Sequence, residues 1–251
     1  MHRFYLPPEQ CQGASLRLID REAHHALRVL RVRRGDRLTV LDGAGHDFLC
    51  EVQESDRDTV RLTVIEKHFQ PASPTQITLL QAVPKGKTME VIVQKATELG
   101  TFRIVPMLTE RVVTHLQDQD GEHKAEKWRS VAVEAIKQCG SPWLPEVEAP
   151  LTLDQFFARN EAFELPLIAS LASPSRSARD YFRAFQARHN RLPRSVCVWI
   201  GPEGDFTPVE TAAIESHGAL PITLGRLILR ADTAAIYSLS ILNYELQSAL
   251  D

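Results

Sequence analysis

The sequence predicts an α/β protein in which a small β-rich domain precedes a larger, mostly parallel sheet covered by helices. Three observations carry this. Beyond about residue 73, short apolar strands alternate with amphipathic helical stretches, the pattern of a parallel sheet covered on both faces. Up to about Gln70 the period is two, with apolar and polar residues in near alternation between turn signals. Between the two regimes, Phe69-Gln70-Pro71-Ala72-Ser73-Pro74-Thr75 has the prolines and small polar residues of a linker. We expect domains over 1–72 and 73–251.

In the first domain, alternation predicts strands over 3–6, 15–19, 37–41, 48–53 and 59–65 and one helix over 20–30. Asp42-Gly43-Ala44-Gly45 and Glu54-Ser55-Asp56 supply turns. The result is a small barrel-like domain, which composition alone does not separate from an OB-like barrel. Its distinctive feature is charge: Arg21, Arg28, Arg31, Arg33, Arg34 and Arg37 face only two acids, Glu22 and Asp36, over the same stretch. Arginine without interspersed lysine suits planar pairing with phosphate oxygens, whereas the bland alternative is a solvated helix face.

In the second domain the pattern gives a strand over 76–83, a Pro84-Lys85-Gly86-Lys87 loop, and a helix over 90–99 with Ile92, Ala96 and Leu99 on one side and Gly100 as its stop. A strand over 103–108 follows. A helix over 122–139 turns Ala125, Trp128, Ala132, Ala135 and Cys139 to the core, and then come a helix over 152–159, a strand over 165–171 and a helix over 175–189. The last fifth of the chain is the most explicit. A hydrophobic strand over 196–200 runs into Gly201-Pro202-Glu203-Gly204-Asp205, and Thr207, Pro208 and Glu210 form a helix start with a capping box. That helix runs to His217, with Gly218 as its left-handed stop. A strand over 220–224 leads into Gly225-Arg226-Leu227-Ile228-Leu229-Arg230 and a terminal helix over 233–250. Two glycine-bearing loops thus leave the carboxyl ends of successive strands, where open α/β sheets bind ligands.

Composition sets bounds. The 251 residues are 43% hydrophobic and 24% charged, an ordinary globular balance, and the net charge of -3 argues against a generic nucleic-acid coat while leaving room for a local basic surface. Cys11, Cys50, Cys139 and Cys197 form no C-x-x-C pair, so buried free thiols are expected rather than a zinc site or disulfides, and no metal is implied. No signal peptide or membrane-length apolar run is present, which predicts a cytoplasmic protein. Neither G-x-G-x-x-G nor a Walker loop occurs, so a nicotinamide dehydrogenase fits poorly.

Gly201-Pro202-Glu203-Gly204 after an apolar strand, with Leu224-Gly225, Ile228-Leu229-Arg230 and Asp232-Thr233-Ala234, resembles the paired signature of the SPOUT superfamily of S-adenosylmethionine-dependent RNA methyltransferases. The nearest resemblance is to the RsmE family, which methylates uridine N3 in small-subunit 16S ribosomal RNA. It extends through Lys85-Gly86-Lys87, Gln94 to Gly100, Glu110-Arg111, Trp128, Gln138-Cys139-Gly140 and Pro145-Glu146-Val147, nearly the whole chain. There are departures. Asp205 replaces a third Gly, Leu227 and Ser141 stand where arginine is common, and Asp232 replaces Glu.

The resemblance implies a PUA-like RNA-binding first domain, a SPOUT second domain with a C-terminal trefoil knot, S-adenosyl-L-methionine as cofactor, and a homodimer acting on 16S rRNA within the small subunit. It implies that Leu171, Ile200, Gly201, Glu203, Gly204, Leu224, Gly225, Ile228, Leu229, Thr233 and Ala234 bind the cofactor, and that Arg230 is catalytic. Arg3, Arg28, Arg31, Arg33, Arg34, Lys85 and Lys87 are the expected RNA contacts. A SPOUT enzyme on another RNA, and a catalytically silent RNA-binding assembly factor, remain the alternatives.

Overall fold

The computed structural model describes residues 1–111, 118–171 and 175–247, and the side chains of 118–120 are left aside. The chain divides into two compact units, residues 1–72 with 133–144, and residues 73–132 with 145–251.

The first unit is a five-stranded sheet of β1 (Arg3–Tyr5), β2 (Ser15–Leu18), β3 (Arg37–Leu41), β4 (His46–Ser55) and β5 (Val60–Phe69), in the order β1-β3-β4-β5-β2. Only the β1–β3 pair is parallel. Alternation does what it should: Leu16 and Leu18 of β2 are buried while Ser15 and Arg17 are exposed, and Phe4, Leu38, Val40, Phe48, Val52 and Leu62 complete the core. β4 and β5 run longer than expected because a bulged ribbon carries their pairing on to His46↔Phe69, so Phe69 ends a strand rather than opening a linker. The expected helix over 20–30 is divided: α1 (Asp20–His24) passes into a wider π turn over His25–Leu30, ended by Arg31 at φ 53°.

Residues 133–144 group with this sheet through specific contacts. Gly45 N–H donates to the Pro142 carbonyl and Leu144 N–H to that of Gly43. A Cβ on Gly45 would lie 2.5 Å from the Trp143 ring and 2.8 Å from Phe69, so glycine is required there by close approach as well as by its φ of +97°.

The second unit is a parallel sheet in the order β12-β10-β11-β6-β7-β8, with β9 also on β7. In chain order its elements are β6 (Gln76–Ala82), α2 (Thr88–Glu98), β7 (Arg103–Leu108), α3 (Asp118–Cys139), β8 (Glu146–Val147), β9 (Leu151–Thr152), α4 (Leu153–Phe157) and β10 (Leu165–Ala169). There follow α5 (Ala178–His189), β11 (Ser195–Ile200), α6 (Pro208–Ser216), β12 (Leu220–Ile222) and α7 (Ala231–Gln247). Leu80, Val105, Met107, Ile168, Cys197 and Trp199 bury one sheet face against Phe156, Phe206 and Ile214. Trp199 meets Phe156 edge-on at 5.2 Å between ring centroids. On α2, Ile92 and Ala96 are buried as expected, joined by Met89 and Val93.

Some expectations need correction. β8 and β9 are two residues each, too short for periodicity to register. On α3, Ala125, Trp128, Ala132 and Ala135 are buried, but Cys139 is exposed and Ile136 takes the last core place. Cys139 is the final helical residue before the left-handed Gly140, where the stripe has already turned off the core. The other three cysteines are buried free thiols; burial pushes Cys11 and Cys50 up to about 12 and raises Cys197 as well, which keeps them protonated and inert. The terminal helix begins at Ala231, earlier than predicted, and its expected end at Leu250 lies outside the described residues. Among the described residues no helix is long and apolar enough to cross a membrane.

β11 is inserted between β6 and β10. The connection from β6 to β7 therefore leaves on one side, while that from β11 to β12 crosses β10 on the other. The switch point lies between β6 and β11, and open α/β sheets bind ligands outside the carboxyl ends of the strands at such a point.

An acid-sensitive contact holds the entry to β10 and β11. Arg191 grips both Glu164 oxygens at 2.7 and 2.8 Å, the Arg194 N–H adds a third bond, and together they hold the Glu164 carboxyl down at about 2 against a usual 4.5. A lowered folded-state value means stability that is complete above pH 4.5 and is lost as pH falls toward 2. Thermal melts of Glu164→Gln should show a lower Tm than the parent at pH 7, with the difference shrinking steadily below pH 4.5; a difference independent of pH would disprove this linkage.

Candidate functional site

The loop after β11 is anchored at both ends: Ile200 and Pro202 are buried before it and Phe206 after it. Its middle is a tight turn in which Asp205 N–H donates to the Pro202 carbonyl at 2.9 Å and Asp205 itself adopts φ 60°. The Asp205 carboxylate accepts from Phe206 N–H at 2.8 Å. Gly201 is forced by this turn, since a Cβ there would lie 2.7 Å from Asp205 Oδ1 and 3.1 Å from its Cα. Gly204 is packed from outside by Arg111, whose Cδ would be 3.3 Å from an added Cβ. Sequence reasoning assigns both glycines to close approach of a ligand; the groups that crowd them here are Asp205 and Arg111.

Two neighbouring strand-end loops hold this turn. Arg111, after β7, donates from Nη1 to the Gly204 carbonyl at 2.5 Å, and Glu110 N–H donates to Glu210 Oε1 at 2.7 Å. Glu210 also closes the capping box of α6, accepting from Thr207 N–H at 2.8 Å. From β6, the strand next to β11, Lys85 N–H in the following loop donates to Glu203 Oε1 at 3.0 Å.

The second loop follows β12. Gly225 sits at φ +110° with open space where a Cβ would be, so its backbone conformation is what demands glycine. Thr223 Oγ1 and the Gly225 backbone exchange hydrogen bonds at 3.1 and 3.3 Å, closing the turn. Beyond it Leu227 and Ile228 are 77% and 82% exposed, Leu229 is half-buried, and Arg230 extends with Nε 3.9 Å from Asp232 Oδ1. Thr233 and Ala234 fall in the first turn of α7, where Thr233 N–H donates to Asp232.

Leu171, Ile200, Gly201, Glu203, Gly204, Leu224 and Gly225 thus stand at the carboxyl ends of three adjacent parallel strands, β12, β10 and β11. Leu224 and Gly225 also line a cavity of about 490 Å³ shared with Ser177, Tyr237, Ile241 and Tyr244. The residues around Gly201 do not line that cavity. Among the described residues no cluster of His, Cys, Asp and Glu could hold a metal ion.

The expected RNA contacts separate into two kinds. Arg28, Arg31, Arg33 and Arg34 are exposed and make no ion pair among the described residues, and Lys85 and Lys87 are exposed beside Gly86. Arg3 is engaged: its guanidinium donates to the Lys137 and Gln138 carbonyls and lies against Gly140. Arg21 pairs with Glu134 at 3.2 Å. Arg111 and Gln81 carry roles that sequence reasoning does not reach. Gln81 is fully buried in register with Ile200, its Oε1 without a partner among the described residues, and nothing in a strand pattern marks it out.

Comparison with known proteins agrees with this geometry. A family model described as an RNA methyltransferase domain matches residues 71–243, and one described as an RNA methyltransferase PUA domain matches residues 18–65. The ribosomal RNA small subunit methyltransferase E of Synechocystis is 34% identical over 98% of this chain and 78% of its own. The chain belongs to the ribosomal RNA small subunit methyltransferase E family. The Bacillus subtilis member of this family is 30% identical over 98% of the chain and 97% of its own length. Among solved structures, a Legionella pneumophila methyltransferase with bound S-adenosylmethionine has a TM-score of 0.85 at 34% identity, covering 98% and 97% of the two chains. The Neisseria gonorrhoeae family member, also bound to S-adenosylmethionine, has a TM-score of 0.84 at 26% identity, covering 97% of each chain. The α/β architecture, with a PUA-like β unit and a parallel-sheet methyltransferase unit, is that of the family.

Because the turn after β11 is crowded by Asp205, Gly201→Ala should destabilise the protein by about 1–3 kcal/mol, and Asp205→Gly in the same chain should recover part of the loss by removing the 2.7 Å contact. Denaturation of the two single variants and the double checks this; purely additive effects would contradict it.

Proposed function

We propose that this protein transfers a methyl group from S-adenosylmethionine to uridine N3 of 16S ribosomal RNA in the small subunit. The observation that carries this reading is the placement of both glycine-bearing loops on one carboxyl edge of the sheet, with Arg230 exposed between them and α7. The residues fit the cofactor. A purine needs apolar cover with backbone groups at its rim, and Leu224, Ile228 and Leu229 beside the open Gly225 backbone supply both. Ile200, Gly201, Gly204, Thr233 and Ala234 would hold the ribose and the methionine end.

When bound, the cofactor supplies a methyl on a positively charged sulfur. The chain's own part begins with alignment: holding the uracil nitrogen in line with that methyl contributes roughly 7–11 kcal/mol. Passage of the imide proton to solvent water leaves negative charge on the uracil oxygens, and the exposed Arg230 guanidinium would donate to them. Asp232, 3.9 Å from Arg230, steers the guanidinium without enclosing it. Arg28, Arg31, Arg33 and Arg34 of the first unit, with Lys85 and Lys87 of the second, would bind RNA phosphates.

β12 bonds β10 on one edge and Arg176 on the other, for Ser170 N–H donates to Ile222, Arg176 N–H to Pro221, and Thr223 N–H to Arg176. Arg176 thus lies on the edge of β12 away from β10, which supports a C-terminal trefoil knot. The exposed Leu227, Ile228, Tyr237 and Tyr244 form an apolar surface around the site, which supports a homodimer. A ribosomal substrate places the protein in the cytoplasm.

Small subunits lacking the modification, incubated with the protein and radiolabelled cofactor, should acquire label at one uridine of the RNA. RNA binding without label would support the silent assembly factor instead. Arg230→Ala should bind the cofactor normally by titration calorimetry while turnover falls ~10²–10³-fold; loss of cofactor binding would make Arg230 a loop element.

A further inference from the structure

We propose that Glu203 is a positioning residue for the loop of residues 84–87, and not a cofactor ligand or the proton acceptor. Its link to Lys85 and Lys87 as RNA contacts rests on the reading of the protein as an RNA methyltransferase. The geometry begins with Arg111, whose hydrogen bond to the Gly204 carbonyl and whose stem against Gly204 Cα tie the turn after β11 to the end of β7. Glu203 belongs to that fixed turn, and its Oε1 accepts the Lys85 N–H at 3.0 Å from the loop after β6, the strand paired with β11.

The loop it holds has little else to shape it. Gly86 adopts φ +64° with no atom within 4 Å of an added Cβ, Lys85 and Lys87 are exposed, and α2 begins at Thr88 without a side-chain cap. The described backbone bonds within it are Thr88 N–H to Lys85 at 3.5 Å and Glu90 N–H to Lys87 at 3.0 Å. A carboxylate acceptor at the Lys85 amide therefore sets where both lysines start, from the turn after the paired strand β11. Their ammonium groups gain a fixed approach to a phosphate there, and the ordering cost of the loop is met before RNA arrives.

Three variants test this with matched measurements of cofactor affinity, kcat and KM for small subunits. Glu203→Ala removes the acceptor, whereas Glu203→Gln keeps a carbonyl oxygen for the Lys85 amide. We expect Glu203→Ala to raise KM for the subunit about tenfold, equivalent to ~1.4 kcal/mol, with cofactor affinity and kcat held, and Glu203→Gln to restore KM. Arg111→Met, which keeps the stem and loses the donor, should shift KM the same way. Hydrogen exchange at the Lys85 amide should quicken in Glu203→Ala and recover in Glu203→Gln, independently of turnover. Weakened cofactor binding in Glu203→Ala would overturn the proposal, as would Glu203→Gln losing kcat as fully as Glu203→Ala, the mark of a proton acceptor. Parental turnover in the same assay separates failure of this proposal from failure of the methyltransferase reading.

Discussion

The pairing of β6 with β11 is the constraint on which the rest of the second unit depends. Residues 76–81 run in parallel register with 195–200, although more than a hundred residues separate them in the chain. That register places Gln81 beside Ile200, and so sets the loop that begins at Val83 against the loop that begins at Gly201. Parallel strands have their loops on one edge by necessity, and connections that diverge from adjacent strands leave that edge uncovered. The juxtaposition of these two loops is thus a consequence of strand order, and side chains only finish it.

What finishes it is a small number of anchored turns. Trp199, Ile200 and Phe206 are buried on either side of the turn after β11, so the loop starts and ends in the core. Asp205 and Arg111 then remove its remaining freedom, one from within and one from the end of β7. The loop after β12 is built differently. Thr223 ties the Gly225 backbone, and beyond it Leu227, Ile228 and Arg230 stay exposed. One loop is thus fixed by hydrogen bonds at several points, while the other leaves apolar side chains exposed.

Much of this was legible in the chain. Thr207, Pro208 and Glu210 marked the start of α6, because capping is local chemistry and needs no partner beyond the next turn. β6, β7, β10 and β11 were legible because burial on both faces leaves a nearly continuous apolar run, whereas β8 and β9 are too short to leave one. What was not legible depends on distant partners. Cys139 looked like a core residue by spacing, and only the end of α3 at Gly140 shows that it is not. The bond from Lys85 N–H to Glu203 follows from strand order, which no local pattern reveals. Arg3 was expected to contact RNA, and the sequence carries no signal that its guanidinium closes the carbonyl end of a helix far along the chain. The π turn at His25–Leu30 has no sequence signal that we can identify.

The account's central claim is that the turns after β11 and β12 form one adenosine pocket, and a crystal structure of the protein with S-adenosylhomocysteine tests it most directly. The account predicts the adenine against Leu224, Ile228 and Leu229, with the sulfur turned toward Arg230. Adenosine bound away from these two turns, or only in the cavity beside Ser177 and Tyr244, would contradict it.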